Sequence, residues 1–166
     1  IPMVYDLIPT AGYFVGVNPE MDCLALAASD FSGNLITEKT RVPYVYENTP
    51  ENLERVGKII NDFIATLPVS KEEILQVCVN VAERVNPFEG RAYNMFTFLK
   101  ESLTDKLTEL IQLPVCIEND SRSMAFAEFV KGRCRGLKDV IFVNVCWGLG
   151  IGIIMGGQLY YGKSGY

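Results

Sequence analysis

VCIENDSRSMAFAEF, residues Val115 to Phe129, passes from an apolar run through three polar residues into a helix-forming segment. A brief apolar run, Val115-Cys116-Ile117, follows Pro114 and breaks into Glu118-Asn119-Asp120, after which helix-forming residues continue to about Lys131. A strand that runs outward and gives way to a helix N-terminus places short polar side chains at the carboxyl edge of a sheet, where ligands of α/β folds bind. There an Asp carboxylate accepts from two hydroxyls while the neighbouring Asn both donates and accepts, a combination suited to a vicinal diol. The same spacing also fits a purely local role, with Asp120 as the N-cap of the helix.

Working back from this junction, Ile74 to Val81 is a short apolar run of the kind a buried parallel strand needs. Before it, Thr49-Pro50 supplies a capping hydroxyl and a proline at the first helical position. Leu53, Val56, Ile59, Ile60, Phe63, Ile64 and Leu67 then recur at helical spacing up to Pro68. A second such helix spans about Ser102 to Gln112, closed by Pro114. The first part of the chain reads as a meander of three strands, GYFVGV, CLALAAS and NLITEKTRV, with a turn at Asp30 to Gly33. AERVNPFEGRAYN reads as an irregular loop punctuated by Pro87 and Gly90.

Downstream, CWGLGIGIIMGG, Cys146 to Gly157, packs five glycines into twelve residues. Such a stretch serves either to bring backbone N–H groups up to a phosphate or to turn a hairpin. VIFVNVCW, IGIIM and QLYYG make a second meander, with turns at Gly148-Leu149-Gly150 and Gly156-Gly157. No helix follows to cover it, so one apolar face is expected to lack a partner.

Composition narrows the function. The 166 residues carry 15 Lys and Arg against 20 Asp and Glu, a net charge of −5 without a dense basic cluster, which disfavours nucleic-acid binding by this segment. The absence of histidine excludes serine and cysteine hydrolases with a His base, and HExxH metal sites. The five cysteines are widely spaced among apolar neighbours and read as reduced core thiols. No apolar run is long enough to span a bilayer and no signal-peptide pattern opens the chain, so a cytoplasmic location without membrane contact is expected.

VCIENDSRSMAFAEF, followed by VIFVNVCWGLGIGIIMGGQLYYGKSGY, resembles the ROK family of bacterial sugar kinases and sugar-responsive repressors of the NagC/XylR type. The resemblance implies an α/β, actin-like ATPase (ribonuclease H-like) fold with a mixed sheet, its second lobe truncated. Residues 13–136 would form the first lobe with its connecting helix, and 137–166 the start of the second. Residues 1–12 would be the lead-in from a DNA-binding winged helix outside this segment. RVNPFEGRAYNMF resembles the family's sugar-contacting loop, which makes Asn94 a hydroxyl partner beside Asn119 and Asp120. In a kinase of the family, the carboxylate matching Asp120 is the general base.

Family members continue into an AGE-GH sequence that touches the sugar and a cysteine-rich zinc motif. Neither occurs in these residues, so no cofactor is expected here and any sugar pocket would be incomplete. The two phosphate turns of the kinases also have altered counterparts. The first, DIGGTK in kinases, reads GVNPEMD from Gly16 to Asp22, where Pro19 removes a donor and Glu20 adds negative charge. The second, GTG, reads Gly148-Leu149-Gly150 without a hydroxyl, leaving Gly148 and Gly150 as a vestigial nucleotide site. The resemblance therefore points to a sugar or sugar-phosphate sensor, with a divergent sugar kinase as the alternative. A homodimer is expected, with DNA bound through the winged helix.

Overall fold

The computed structural model describes residues 6–146 and 148–165. Part of the expected lead-in (residues 1–5), Trp147 and Tyr166 therefore lie outside the described residues.

Three antiparallel strands open the chain: β1 (Tyr13–Pro19), β2 (Cys23–Asp30) and β3 (Thr40–Pro43). Asp30 makes the β2–β3 turn, its carboxylate accepting from the backbone N–H groups of Ser32 and Asn34, both at 2.9 Å. The third strand is much shorter than NLITEKTRV. Only a single bridge, Ser29 to Leu35, pairs its first half, and regular pairing with β2 begins at Thr40. Helix α1 (Pro50–Ile64) starts as expected, with the Thr49 hydroxyl accepting from the Asn52 N–H. It leads into β4 (Ile74–Val81), which pairs parallel to β1.

The loop that follows is less irregular than its sequence suggests. β5 (Val85–Asn86) and β6 (Arg91–Ala92) form a small ribbon, and the Asn86 side chain accepts from the Phe88 and Glu89 N–H groups to turn it. Helix α2 (Leu103–Ile111) is capped by Ser102 and ends at Gln112 in the left-handed region. Strand β7 (Val115–Asn119) then pairs parallel to β4 and passes directly into α3 (Asp120–Val130). The sheet order is β3-β2-β1-β4-β7.

Val15, Val17, Leu24, Leu26, Val77, Val79 and Ile117 from one face of this sheet join Leu53, Ile60, Phe63, Leu107 and Ile111 of α1 and α2 in one buried core. Burial of such side chains stabilises by roughly 1.5–3 kcal/mol each, which outweighs the weak propensities of the individual elements.

The second meander comprises β8 (Val140–Val145), β9 (Leu149–Met155) and β10 (Gln158–Leu159) in the order β10-β9-β8. Its turns correct the reading of the glycines. Gly156 and Gly157, at φ +58° and +81°, form a two-residue hairpin loop between the paired Met155 and Gln158, where both central positions require positive φ. Leu149 and Gly150 are not a turn; they begin β9, opposite Val145 and Asn144.

The second sheet is also not bare on both faces. Helix α3 packs on β8 and β9 while touching β4 and β7 of the first sheet, so it is the layer the two sheets share. Gly150 and Gly152 allow this approach. A Cβ on Gly150 would fall within the Ser121 hydroxyl, and one on Gly152 would meet the Ala125 methyl and lie 2.7 Å from the Ser121 carbonyl oxygen. The opposite face is open: Ile141, Val145 and Leu149 are 71%, 76% and 71% exposed, with Val143, Ile151 and Met155 beside them.

Candidate functional site

The β7–α3 junction is built by hydrogen bonds among its own polar residues. Asn119, rather than Asp120, is the N-cap: its Oδ1 accepts from the Arg122 N–H at 3.0 Å. Its Nδ2 donates to the Glu83 carbonyl at 3.0 Å and to Asp120 Oδ1 at 3.2 Å. Asp120 Oδ1 further accepts from the Ser121 N–H (2.6 Å) and hydroxyl (3.1 Å). One carboxylate oxygen is thus fixed from three sides, while Oδ2 makes no hydrogen bond among the described residues and remains available to an incoming hydroxyl.

Glu83 joins this junction to the loop carrying Asn94. Its carboxylate accepts from the Asn94 N–H at 2.8 and 2.9 Å and from the Met95 N–H at 2.6 Å. The same residue therefore grips Asn119 through its carbonyl and the 94–95 backbone through its side chain. The Asn94 amide is exposed and unbonded among the described residues. Sequence reading singled out Asn94, Asn119 and Asp120 but missed Glu83, whose role arises only when β4 and the returning loop meet.

Arg122 was also missed. It is 5% exposed, pairs with Glu118 at 2.6 Å, and donates to the Gly165 carbonyl (2.6 Å) and the Val85 carbonyl (3.0 Å). Its guanidinium lies over the Tyr161 ring, 5.2 Å from the centroid, and Tyr161 meets Phe88 edge-on at 5.1 Å. The segment after β10 is therefore docked on the 85–93 ribbon by one buried cation. A strand Glu followed at i+4 by a helical Arg carries no helical periodicity, so no local pattern announces this pair.

On the other side of α3, Asn18 from β1, Asn80 from β4 and Ser123 form a chain: Ser123 donates to Asn80 Oδ1 (2.7 Å), and Asn80 Nδ2 to Asn18 Oδ1 (3.0 Å). They border a shallow depression of about 290 Å³ on the open face of the first sheet. At the β1–β2 turn the Glu20 N–H donates to the Cys23 carbonyl, and the Glu20 carboxylate pairs with Lys39 (2.7 Å) and Arg41 (3.1 Å). The Lys39 hydrogen bond leads the interactions that hold the Glu20 carboxyl below the usual glutamate range. Of the two expected phosphate glycines, Gly148 has open space where a Cβ would go, whereas Gly150 faces Ser121.

Parallel β4 and β7 beside a hairpin-fed β1, with helix α3 packed between two sheets, make an actin-like ATPase fold. The chain belongs to the ROK family, whose model matches residues 15–166. It is 26% identical over 167 residues to the xylose repressor of Bacillus subtilis strain 168, covering 99% of this chain and 43% of that protein. It is 30% identical over 156 residues to a glucokinase of Streptomyces coelicolor, covering 93% of this chain and 47% of that one. Among solved structures, a ROK glucokinase from Streptomyces griseus, crystallised with glucose and AMPPNP, superposes with a TM-score of 0.73 at 27% identity, covering 93% of this chain and 48% of that one. The chain thus spans less than half the length of these relatives. Among the described residues, no helix is long and apolar enough to cross a membrane.

Proposed function

We propose that this chain is the sugar-sensing part of a ROK transcriptional regulator, which binds a sugar or sugar phosphate without phosphorylating it. The observation that carries the reading is the state of Glu20. A phosphate-binding turn needs free backbone N–H groups and positive charge. Here the Glu20 N–H is spent within the hairpin, and its carboxylate sits at the tip, occupying Lys39 and Arg41. Gly150 supports the reading further, because its missing side chain makes room for α3. The Glu83 clamp meanwhile holds Asn94, Asn119 and Asp120 in one network, with Asp120 Oδ2 and the Asn94 amide presented to hydroxyls.

In the full-length protein, sugar bound between the lobes would move an attached DNA-binding domain by favouring the closed arrangement. The regulator would act as a homodimer. The test is a titration of the full-length protein with aldopentoses, aldohexoses, N-acetylhexosamines and their phosphates, followed by thermal shift and calorimetry. Saturable binding of one class is expected. Asp120→Asn should weaken it roughly 10- to 100-fold, the value of a hydrogen bond to a charged group. Binding of none, or undiminished binding by the variant, would refute the reading. The second reading, a divergent sugar kinase, draws on the same free carboxylate oxygen of Asp120, which is suited to take a proton from a hydroxyl.

A further inference from the structure

Cys78 and Cys116 are direct register partners on the parallel strands β4 and β7. Register partners in a parallel ladder project to the same face from strands about 4.8 Å apart. A Cα separation near that spacing falls within the roughly 4.4–6.8 Å that a disulfide spans, and drawing the two Cβ atoms to within about 4.5 Å asks only a small local adjustment of the strands. The neighbouring Cys116 thiol, and then burial, push the Cys78 thiol above its ordinary range.

Access comes past Cys78, on the part of the sheet that α3 leaves uncovered. Both cysteines are half-buried, Cys78 lines the 290 Å³ depression, and the space above the neighbouring Gly16 Cα is clear. Cys23, by contrast, is buried, and the exposed Cys146 lies on the second sheet, donating to Asn144 Oδ1 at 3.2 Å. Nothing in the proposed sugar contacts uses the pair.

We propose that Cys78 and Cys116 form a modification site, a dithiol that a peroxide closes into a cross-strand disulfide. The thiolate of one cysteine attacks a peroxide oxygen, the O–O bond breaks, and water or an alcohol leaves with a proton from solvent. The sulfur of the other then displaces hydroxide from the resulting sulfenic acid, its thiol proton completing a molecule of water. The two thiols lose two electrons and the peroxide gains them. The bridge would tie β4 to β7 just ahead of Glu83 and Asn119, the two residues that build the sugar network.

The test treats native full-length protein with hydrogen peroxide, blocks remaining thiols by alkylation and maps the peptides by mass spectrometry. The expected product is a Cys78–Cys116 linked peptide that dithiothreitol releases and that Cys78→Ser and Cys116→Ser each abolish. A second measurement needs no variant: phenylarsine oxide, which bridges paired thiols, should bind one-to-one and protect both cysteines from alkylation. Separate alkylation of Cys78 and Cys116 after peroxide, links formed instead to Cys134 or Cys146, or failure of the arsenical to protect the pair would overturn the proposal.

Discussion

Gly152→Ala is the substitution whose outcome the packing of α3 decides. In a strand interior, replacing Gly by Ala ordinarily gains about 0.5–1 kcal/mol by limiting the unfolded chain. Here the added methyl would lie 2.7 Å from the Ser121 carbonyl oxygen and overlap the Ala125 methyl more closely still. Ordinary contact between such atoms begins near 3.4 Å, so α3 must retreat by about 0.7 Å to clear the oxygen and by more to clear the Ala125 methyl, and neither group can rotate away. Overpacking of this kind costs about 1–3 kcal/mol. The expected net loss is about 1–2 kcal/mol, which at this chain size is a Tm lowered by roughly 2–8 °C. Urea denaturation followed by far-UV circular dichroism would show a lower midpoint at unchanged slope. Gly148→Ala is the control, since its Cβ would meet open space, and should stay within about 0.5 kcal/mol of the parent. Unchanged or raised stability in Gly152→Ala would refute the account of these glycines as the seat of α3.

Arg122→Met leaves the half-buried Glu118 without its cation and should cost about 3 kcal/mol in urea denaturation; adding Glu118→Gln should recover part of that loss. Tyr44 is buried, with its hydroxyl donating to Asn52 Oδ1 at 2.6 Å, and burial pushes its pKa from 10.0 to about 12. Ionisation therefore favours the unfolded chain: stability should fall as pH rises from about 10 towards 12, and Tyr44→Phe should show a shallower alkaline limb in pH-dependent melts. Val143 and Ile151 are paired on the open face of the second sheet, so the 166-residue chain expressed alone should self-associate, and Ile151→Lys should shift light scattering towards monomer.

Those helices and strands whose signals are local were legible in the sequence. The Thr49-Pro50 cap and the spacing from Leu53 to Ile64 fix α1 without reference to the rest of the chain, and the apolar run from Ile74 matches β4 residue for residue. β3 was overextended because alternation in NLITEKTRV looks the same whether or not a neighbour pairs with it. At the site, the residue types at 94, 119 and 120 were visible. The cap was assigned one residue late, because Asn and Asp satisfy a helix N-terminus equally well. Glu83 and Arg122 act across the fold and left no local trace. The glycines did leave one: at 150 and 152 they stand two apart, which in a strand strips a single face. That pattern indicates close helix packing more directly than it indicates a phosphate.

Whether the chain senses sugar without spending ATP is decided by calorimetry of the full-length protein with Mg-ATP, in the presence and absence of the sugar that binds it. With the Glu20 turn neutralising its own cations, the sugar should give saturable heat and Mg-ATP none. Saturable nucleotide binding, accompanied by sugar-dependent release of ADP that Asp120→Asn abolishes, would contradict it.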